Sequence, residues 1–480
     1  MAVLALLVRL YGIGNNAFWY DEVMTQKRAS LPFAELLADS FGSKHYPLYF
    51  LLTKPLISPT IWESGLRVPS AVFGAVGVLM AARIAFELGG RSAALVTGAL
   101  LAFSPIEVQY GQEARPYTLV SAAILIAVWG LVRLLQPGSS REQPGNQAAW
   151  IAYAAGTAIA LNSLGAAAAF FLAVNLIVIG LAATRRLPAG WSMKIWIAVN
   201  ASVLIVWLPG LVSLLLANTP DATRGLRWIQ PLTAELAWDV IASLYMLHVP
   251  DQMTFERLAA PLPLLGFVVV GLAAAGVLRL ARTPAGIMLV GLAFFMPVAL
   301  ALISLTAMPA FVPRYMLWST GPFFILAGVG IVSLSAQVAR RGAAAALFLG
   351  AAYSLLPYYG TETKPRWDLA TAHLAQRAGL GDTVVSSGGL VRVMLDAYMV
   401  RHSDVPLEVL NVHSRDEIVR AFQKGATVWV VYGRAGQGSS ISREELLSQW
   451  PELGPGNSIR TFGRYITISQ HNKRRPLLRR

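Results

Sequence analysis

Long apolar runs alternate with short polar segments along most of the chain. A helix needs about 20 apolar residues to cross the hydrocarbon of a bilayer, so this pattern predicts about eleven membrane-spanning helices. The predicted spans are 1–13, 66–88, 93–104, 117–135, 148–161, 165–183, 195–217, 261–280, 285–306, 316–334 and 343–356. The first run is short for a span, which indicates either a tilted helix or a chain start that has lost part of it.

Two polar segments, residues 14–65 and 218–260, are too long for simple turns between spans. In the first of them, Pro32 and the run 33–37 predict short amphipathic helices that lie in the membrane interface. Residues 136–147 are rich in Pro, Gly and Ser and predict a flexible loop.

The pattern changes after residue 356. Helices are predicted at 367–378 and 390–400, and strands at 383–386, 426–432 and 464–469. These elements predict a small α/β soluble domain of about 120 residues at 357–480, which is large enough for its own core. Residues 1–356 would then form the transmembrane catalytic domain, and the basic residues 473–480 a disordered tail.

The composition favours a membrane protein. The 480 residues are 55% hydrophobic and only 13% charged, whereas soluble proteins carry about 25% charged residues. There are no cysteines, which excludes disulfides and thiolate metal sites. The formal net charge of +14 is compatible with nucleic-acid binding. The basic residues, however, cluster in short loops between apolar runs, as in the cytoplasmic loops of membrane proteins, so no nucleic acid is expected.

This charge asymmetry also predicts the topology. The loops after the even-numbered spans are short and carry many Arg and Lys with few acids, so we place them in the cytoplasm. The two long loops and the C-terminal domain then lie on the extracytoplasmic side of a cytoplasmic (inner) membrane, which the chain crosses many times.

Under this topology, polar residues from four separate segments share the outer face. They are Asp21, Glu22, Lys44, His45, Glu113, Arg115, Arg314 and Tyr315. An acid pair beside an apolar run is most often surface charge, and an arginine at the membrane margin can simply snorkel. Two arginines together with carboxylates are more specific, because the planar guanidinium matches phosphate oxygens. The set suits a lipid-phosphate substrate.

Glycosyl transfer is the chemistry that fits these groups. A sugar on a polyprenyl phosphate is already activated, and arginines can stabilise the leaving lipid phosphate. A carboxylate within reach of the incoming hydroxyl can act as the base. Because that base must lie across the anomeric carbon from the phosphate, we expect a single displacement that inverts the configuration.

Five short motifs follow one another along the chain. They are Arg9-Leu10 with Trp19-Tyr20-Asp21-Glu22, His45-Tyr46-Pro47-Leu48-Tyr49, Leu66-Arg67-Val68-Pro69-Ser70-Ala71, Ser104-Pro105 through Glu113-Ala114-Arg115-Pro116-Tyr117, and Arg314-Tyr315 with Pro322. These motifs and their order resemble those of the membrane glycosyltransferases of the GT-C superfamily, and most of all the branch that holds the bacterial family 39 enzymes, the protein O-mannosyltransferases and the lipid A aminoarabinose transferase. Each motif is weak alone, but five in order are a specific signal. Their order and spacing agree over about residues 9–120, and more loosely to residue 335.

The resemblance implies a role for each matching residue. Asp21 would activate the acceptor and Glu22 would shape the same site, whereas Arg115 and Arg314 would hold the lipid phosphate. The residues implied to line or orient the site are Glu113, Tyr117, His45 and Tyr315. Tyr46 replaces the usual first proline of its motif, and some relatives carry a lysine where His45 stands. It therefore stays open whether Lys44 or His45 touches the phosphate.

No cofactor is expected to be required. Asp21 and Glu22 could hold a divalent cation such as magnesium or manganese, because carboxylate oxygens suit these ions. Two adjacent carboxylates do not by themselves make a metal site. The expected partners are a polyprenyl-phosphate-linked sugar donor, a protein, lipid or glycan acceptor, and membrane lipids.

Two alternative functions remain. One is an oligosaccharide ligase or polymerase that uses a diphosphate-linked donor. The other is a transporter or flippase of lipid-linked sugars, which would be expected to show internal repeats and ionisable residues near the midplane. The chain shows neither feature. The sugar, the acceptor and the prenyl length do not follow from the sequence, although the loop 218–238 is a candidate for the sugar site.

Overall fold

The computed structural model describes residues 1–43, 45–57, 62–136, 144–216, 228–379, 382–402, 408–411, 427–433, 448 and 456–472. Several predictions concern residues outside these ranges. They are the phosphate contact of Lys44, most of the flexible loop 136–147, residues 218–227 of the second long loop, and the tail 473–480.

Helices account for most of the region that precedes residue 361. In chain order they are α1 (Ala2–Leu10), α2 (Tyr20–Ser30), α3 (Phe33–Gly42), α4 (Leu48–Thr53), α5 (Trp62–Phe103), α6 (Pro105–Gly111), α7 (Tyr117–Leu134), α8 (Pro144–Leu161), α9 (Ala168–Ala183), α10 (Met193–Leu216), α11 (Ala234–Tyr245), α12 (Pro263–Leu280), α13 (Pro284–Thr306), α14 (Pro313–Met316), α15 (Thr320–Gly330) and α16 (Gln337–Gly360).

Among the described residues, 8 helical stretches are long and apolar enough to cross a membrane. They coincide with predicted spans, so the polytopic helical architecture is confirmed. The predicted spans 66–88 and 93–104 run together as α5, which kinks at Gly90 where φ is 74°. This left-handed conformation is one that glycine adopts without a steric penalty. The exact number of spans, predicted as eleven, remains a prediction.

Two of these helical stretches form the centre of the apolar bundle. About nine-tenths of the most apolar window in Pro313–Ser333, and 83% of that in α7, is buried, against 22–44% in the other candidate spans. The outer helices keep apolar side chains such as Leu264 and Leu278 on their surface, as expected where lipid replaces water. Gly276 of α12 and Gly330 of α15 allow these two helices to approach closely, since a Cβ atom at either position would collide with a carbonyl oxygen of the other helix.

The two long polar segments also contain helices. In the first, α3 begins where Pro32 and the run 33–37 predicted a short helix, and α2 and α4 lie before and after it. Their position in the membrane interface remains a prediction. In the second, α11 was not predicted. Thr233 caps its start by accepting a hydrogen bond from the backbone amide of Leu236, a signal of helix initiation that hydropathy does not detect.

The chain divides into two compact units. The first contains Met1–Ile13, Thr25–Asp251 and Phe255–Thr361, and the second contains Gly14–Met24, Gln252–Thr254 and Glu362–Arg480. The predicted domain boundary at residue 357 lies close to the point between Thr361 and Glu362 where the first unit ends and the second unit resumes. Nothing in the sequence indicated that Gly14–Met24 would belong to the same compact unit as the C-terminal residues.

The second unit is built on a five-stranded mixed sheet, which confirms the predicted small α/β domain. Its elements are α17 (Trp367–Arg377), β3 (Thr383–Ser386), α18 (Gly389–Met399), β4 (Glu408–Asn411), β5 (Thr427–Gly433), β6 (Ser458–Phe462) and β7 (Ile466–Asn472), whereas the first unit holds the pair β1 (Val249–Pro250) and β2 (Arg257–Ala259). The strand order is β4-β3-β5-β7-β6. Both neighbours of β3 are parallel to it, and β7 is antiparallel to β5 and β6.

Candidate functional site

Hydrogen bonds join three of the sequence motifs within the first unit. The Tyr49 hydroxyl lies 2.7 Å from Ser70 Oγ, and Ser70 Oγ donates to the carbonyl oxygen of Arg115 at 3.1 Å. The Thr118 hydroxyl in turn donates to the carbonyl of Ser70. The segments 45–49, 66–71 and 113–117 therefore lie next to one another. Hydroxyl groups of these segments form the hydrogen bonds that stabilise the loop that carries Arg115.

Arg115 is almost fully buried, with 6% of its surface exposed. Its Nη1 donates to the Thr25 hydroxyl at 3.2 Å, and its guanidinium lies 5.7 Å from the ring centre of Tyr117. Glu113 is completely buried in the same turn, and its carbonyl accepts from the Arg115 amide. Since charged side chains are rarely buried without a purpose, this turn is a functional candidate.

Arg314 lies in the first turn of α14 and is also only 6% exposed. Its guanidinium lies over the ring of Trp228, 4.6 Å from the ring centre, and 5.8 Å from that of Tyr315. Trp228 lies in the second long loop, so this loop contributes directly to the surroundings of Arg314. An arginine within about 6 Å of a tryptophan ring gains a cation–π interaction.

The elements next to the two arginines pack together within the first unit. α7 begins two residues after Arg115 and contacts the turn Leu317–Ser319, which begins three residues after Arg314. α11 contacts both α6 and α14. The structure therefore places the surroundings of both predicted phosphate ligands in one region of this unit.

Helix termini are capped by side chains around the loop that precedes Arg115. Arg9 Nη1 donates to the carbonyl of Ala102, and Nη2 donates to that of Leu101, at the end of α5. Gln112 Nε2 donates to the carbonyl of Arg9 at the end of α1, and the Tyr358 hydroxyl donates to Gln112 Oε1. These bonds satisfy backbone carbonyls that a helix leaves without intrahelical partners. Arg9 thus has a structural role in this structure, as does Gln112.

His45 and its neighbour Tyr46 are anchored by backbone carbonyls. His45 Nδ1 lies 2.7 Å from the carbonyl oxygen of Ser43, which this nitrogen can reach only as the donor. The Tyr46 hydroxyl donates to the carbonyl of Gly210 at 3.1 Å. The tyrosine that replaces the usual proline therefore links this motif to α10. Whether His45 touches a phosphate remains a prediction.

The acid pair belongs to the second unit, where its two carboxylates have different environments. Asp21 and Glu22 are the second and third residues of α2, which suits acids because the helix N-terminus attracts negative charge. Glu22 is fully buried and lies 3.2 Å from the Nζ of Lys364, whereas Asp21 is half-buried. The Trp19 amide, just before the helix, also donates to Glu22 Oε2 at 3.4 Å. This is one half of a capping box.

His248 is a buried group that the sequence reading missed. Its side chain lies in the first unit directly before β1, and neither ring nitrogen has a hydrogen-bond partner among the residues that the structure describes. Leu247 precedes it in a left-handed conformation with φ 60°, which costs free energy for a residue other than glycine. Burial lowers the pKa of His248, and the nearby charge of Arg257 lowers it further, against the opposing effect of Asp239.

The acid pair does not form a ready cation site. The ammonium group of Lys364 already lies against Glu22, and positive charge there opposes a second cation. Within the described ranges, no group of three or more His, Cys, Asp or Glu residues could hold a metal ion. These observations do not test whether the reaction requires a cofactor, so the expectation that none is required remains a prediction.

The comparisons with known proteins agree with the resemblance. The model of the dolichyl-phosphate-mannose-protein mannosyltransferase family matches residues 56–223. ArnT from Cupriavidus metallidurans in the apo state has a TM-score of 0.62 at 14% identity, over 98% of this chain and 96% of that chain. The same protein bound to undecaprenyl phosphate has a TM-score of 0.59 at 14% identity, over 97% and 96%. No curated protein matches.

A third solved structure is more distant. The oligosaccharyltransferase of Archaeoglobus fulgidus in the apo form has a TM-score of 0.53 at 13% identity, over 90% of this chain and 69% of that chain. The fold is thus that of the ArnT structures, a multi-pass helical bundle with a small sheet domain. Residues 56–223 are also similar to the mannosyltransferase family, which is one of the families that the motifs resemble.

Proposed function

We propose that the chain is a membrane glycosyltransferase that moves a sugar from a polyprenyl-phosphate donor to a hydroxyl of an extracytoplasmic acceptor. The observation that carries this proposal is the pair of buried arginines, Arg115 and Arg314, in a fold that an undecaprenyl-phosphate-bound ArnT shares. Two guanidinium groups in one low-dielectric region suit a phosphate that gains negative charge as its sugar leaves.

In this proposal Arg115 and Arg314 stabilise the leaving lipid phosphate. Each guanidinium is held by neighbours within the first unit, Thr25 for Arg115 and Trp228 for Arg314. Such prior orientation favours catalysis, because the donors need no reorganisation as charge develops on the phosphate. Glu113, Tyr117 and Tyr315 complete the surroundings of the phosphate, with His45 or Lys44 as a further contact.

Asp21 is the proposed base. It accepts the proton of the acceptor hydroxyl while that oxygen attacks the anomeric carbon and the bond from carbon to phosphate oxygen breaks. The configuration of the sugar is inverted, because attack comes from the face opposite the phosphate. Glu22 is the less suitable base, since its carboxylate is completely buried against Lys364. We further propose that the site opens on the extracytoplasmic face of the cytoplasmic membrane.

The test is release of polyprenyl phosphate from labelled polyprenyl-phosphate sugars by protein in nanodiscs, with a cell-envelope extract as acceptor. We expect wild type to release it, and the productive donor names the sugar. Asp21→Asn should bind the donor but lose at least about a hundredfold in turnover, the usual size of a general-base effect. The matched control is Glu35→Gln, which removes a charge from an exposed position in the same outer segment.

Two results would refute the proposal. In the first, no donor is consumed while lipid-linked sugar crosses the bilayer equally fast with wild type and Asp21→Asn, which is the result for a flippase. In the second, only a diphosphate-linked donor is consumed, which is the result for an oligosaccharide ligase or polymerase. Turnover by Asp21→Asn equal to wild type would remove Asp21 as the base.

A further inference from the structure

Lys364 is a buried lysine that no motif in the sequence singles out. It lies in the short segment between α16 and α17, and only 1% of its surface is exposed. Its Nζ donates to Glu22 Oε2 at 3.2 Å. Lysine is among the residues least often buried, and a buried ammonium group is stable only when it is paired. Glu22, one of the two residues of the acid pair, is a partner of this ammonium group.

The pair acts on the start of α2. Glu22 is the third residue of this helix, and the oxygen that meets Lys364 also accepts the backbone amide of Trp19. The ion pair and the cap therefore share one atom. A displaced Glu22 carboxylate would lose both of these bonds at the start of α2, and Asp21 is the second residue of that helix.

A second hydrogen bond joins the same stretch to the C-terminal residues of the second unit. The Phe18 amide donates to the Tyr398 hydroxyl of α18 at 2.5 Å. Residues 18–22 are thus held from two directions by residues that lie more than 340 positions later. Such long-range ties indicate that this part of the C-terminal region orders the acid pair.

We propose that Lys364 is a positioning residue for glycosyl transfer, which holds Glu22 and through it the first turn of α2 that presents Asp21. The inference rests on the proposed function, because it takes Asp21 as the base. Lys364 also offsets the charge of Glu22, so that this carboxylate can stay buried.

The experiment compares Lys364→Met, Glu22→Gln and the double variant in nanodiscs, with Lys27→Met as control. Lys27 is an exposed lysine on the same helix. For each protein we would measure thermal unfolding, donor affinity and kcat. We expect Lys364→Met to lower kcat by about tenfold or more with donor affinity little changed.

The double variant separates positioning from stability. It removes both charges and keeps side chains of similar length, so it should regain the unfolding temperature that Lys364→Met loses. Its kcat should stay reduced, because the Glu22 carboxylate that caps the first turn of α2 is gone. Lys364→Arg, which keeps the positive charge, should retain more activity than Lys364→Met and serves if Lys364→Met does not fold.

The inference fails if Lys364→Met folds and has the kcat of wild type while Asp21→Asn is inactive. If Lys364→Met does not fold, the inference fails when the double variant folds and has the kcat of wild type. It also fails if the unfolding temperature alone changes, since that is the result of a purely structural pair. A fully active Asp21→Asn would instead refute the proposed base, whatever the Lys364 variants do.

Discussion

Trp228 provides a direct test of the environment of Arg314. Its ring centre lies 4.6 Å from the guanidinium carbon of Arg314, which is 6% exposed. A cation–π contact contributes about 0.5–1 kcal/mol at exposed sites and about 2 kcal/mol when it is desolvated. Because Arg314 is buried, the value near the upper end applies. Trp228→Ala should therefore leave Arg314 less firmly oriented toward a phosphate.

The expected effect is a loss of affinity for polyprenyl phosphate. Because the cation–π contact also exists in the protein without ligand, about 2 kcal/mol is the largest possible change, and it corresponds to a dissociation constant weaker by up to about 30-fold. Trp228→Phe keeps an aromatic ring with a smaller quadrupole effect and should lie between wild type and Trp228→Ala. Binding of polyprenyl phosphate to protein in nanodiscs, measured by a change in fluorescence or by calorimetry, gives these constants without any need for turnover.

Trp238 is the matched control. It lies in the same long loop, its ring stacks on that of Phe267 with 6.5 Å between the ring centres, and it is 41% exposed. Trp238→Ala should leave the affinity within about threefold of wild type, the range of surface substitutions. Arg314→Gln should itself bind polyprenyl phosphate weakly. If it does, and Trp228→Ala binds as tightly as wild type, the orienting role of Trp228 is contradicted.

Two further predictions concern the first unit. Gly74→Ala would place a Cβ atom 2.5 Å from Nε of Arg9, so it should destabilise the protein by about 1–3 kcal/mol; thermal unfolding in detergent measures this, and an unchanged midpoint would contradict the packing. Gly180→Ala, with no atom within 4 Å of the added Cβ, is the control. His248 has a lowered pKa in the folded protein, so the unfolded chain binds more protons below about pH 6.5 and stability should fall as pH falls from 7 toward 5. His248→Gln should weaken that dependence, and identical slopes for both proteins would contradict it.

Much of the architecture was predictable because lipid imposes a simple rule. Backbone groups in hydrocarbon must be satisfied within a segment, so each long apolar run is a helix, and eight such helices lie where hydropathy placed them. The strand 383–386 was predicted from its β-branched residues, because such side chains favour the extended conformation of a buried strand. α11 was missed because an amphipathic helix in a polar loop carries only a weak apolar signal.

Candidate residues could be chosen from the sequence to the extent that motifs kept their order. Arg115 and Arg314 were chosen from their residue type and from the motifs around them. The structure buries both, and their contact with a phosphate remains a prediction. Trp228 could have been suspected as an aromatic residue beside a basic site, but nothing in the sequence joined it to Arg314. His248 had no signal at all, because a lone histidine in a loop is ordinarily a solvated one.

The sequence by itself determined the class of fold, the helical runs and the candidate residues, since these depend on local hydropathy and short motifs. Only the tertiary structure decided which of two adjacent carboxylates is buried. Asp21 and Glu22 are neighbours of the same charge, yet Glu22 pairs with Lys364, which lies 342 positions later. Sequence patterns are local, whereas the free energy of a buried charge depends on the partner that folding brings to it.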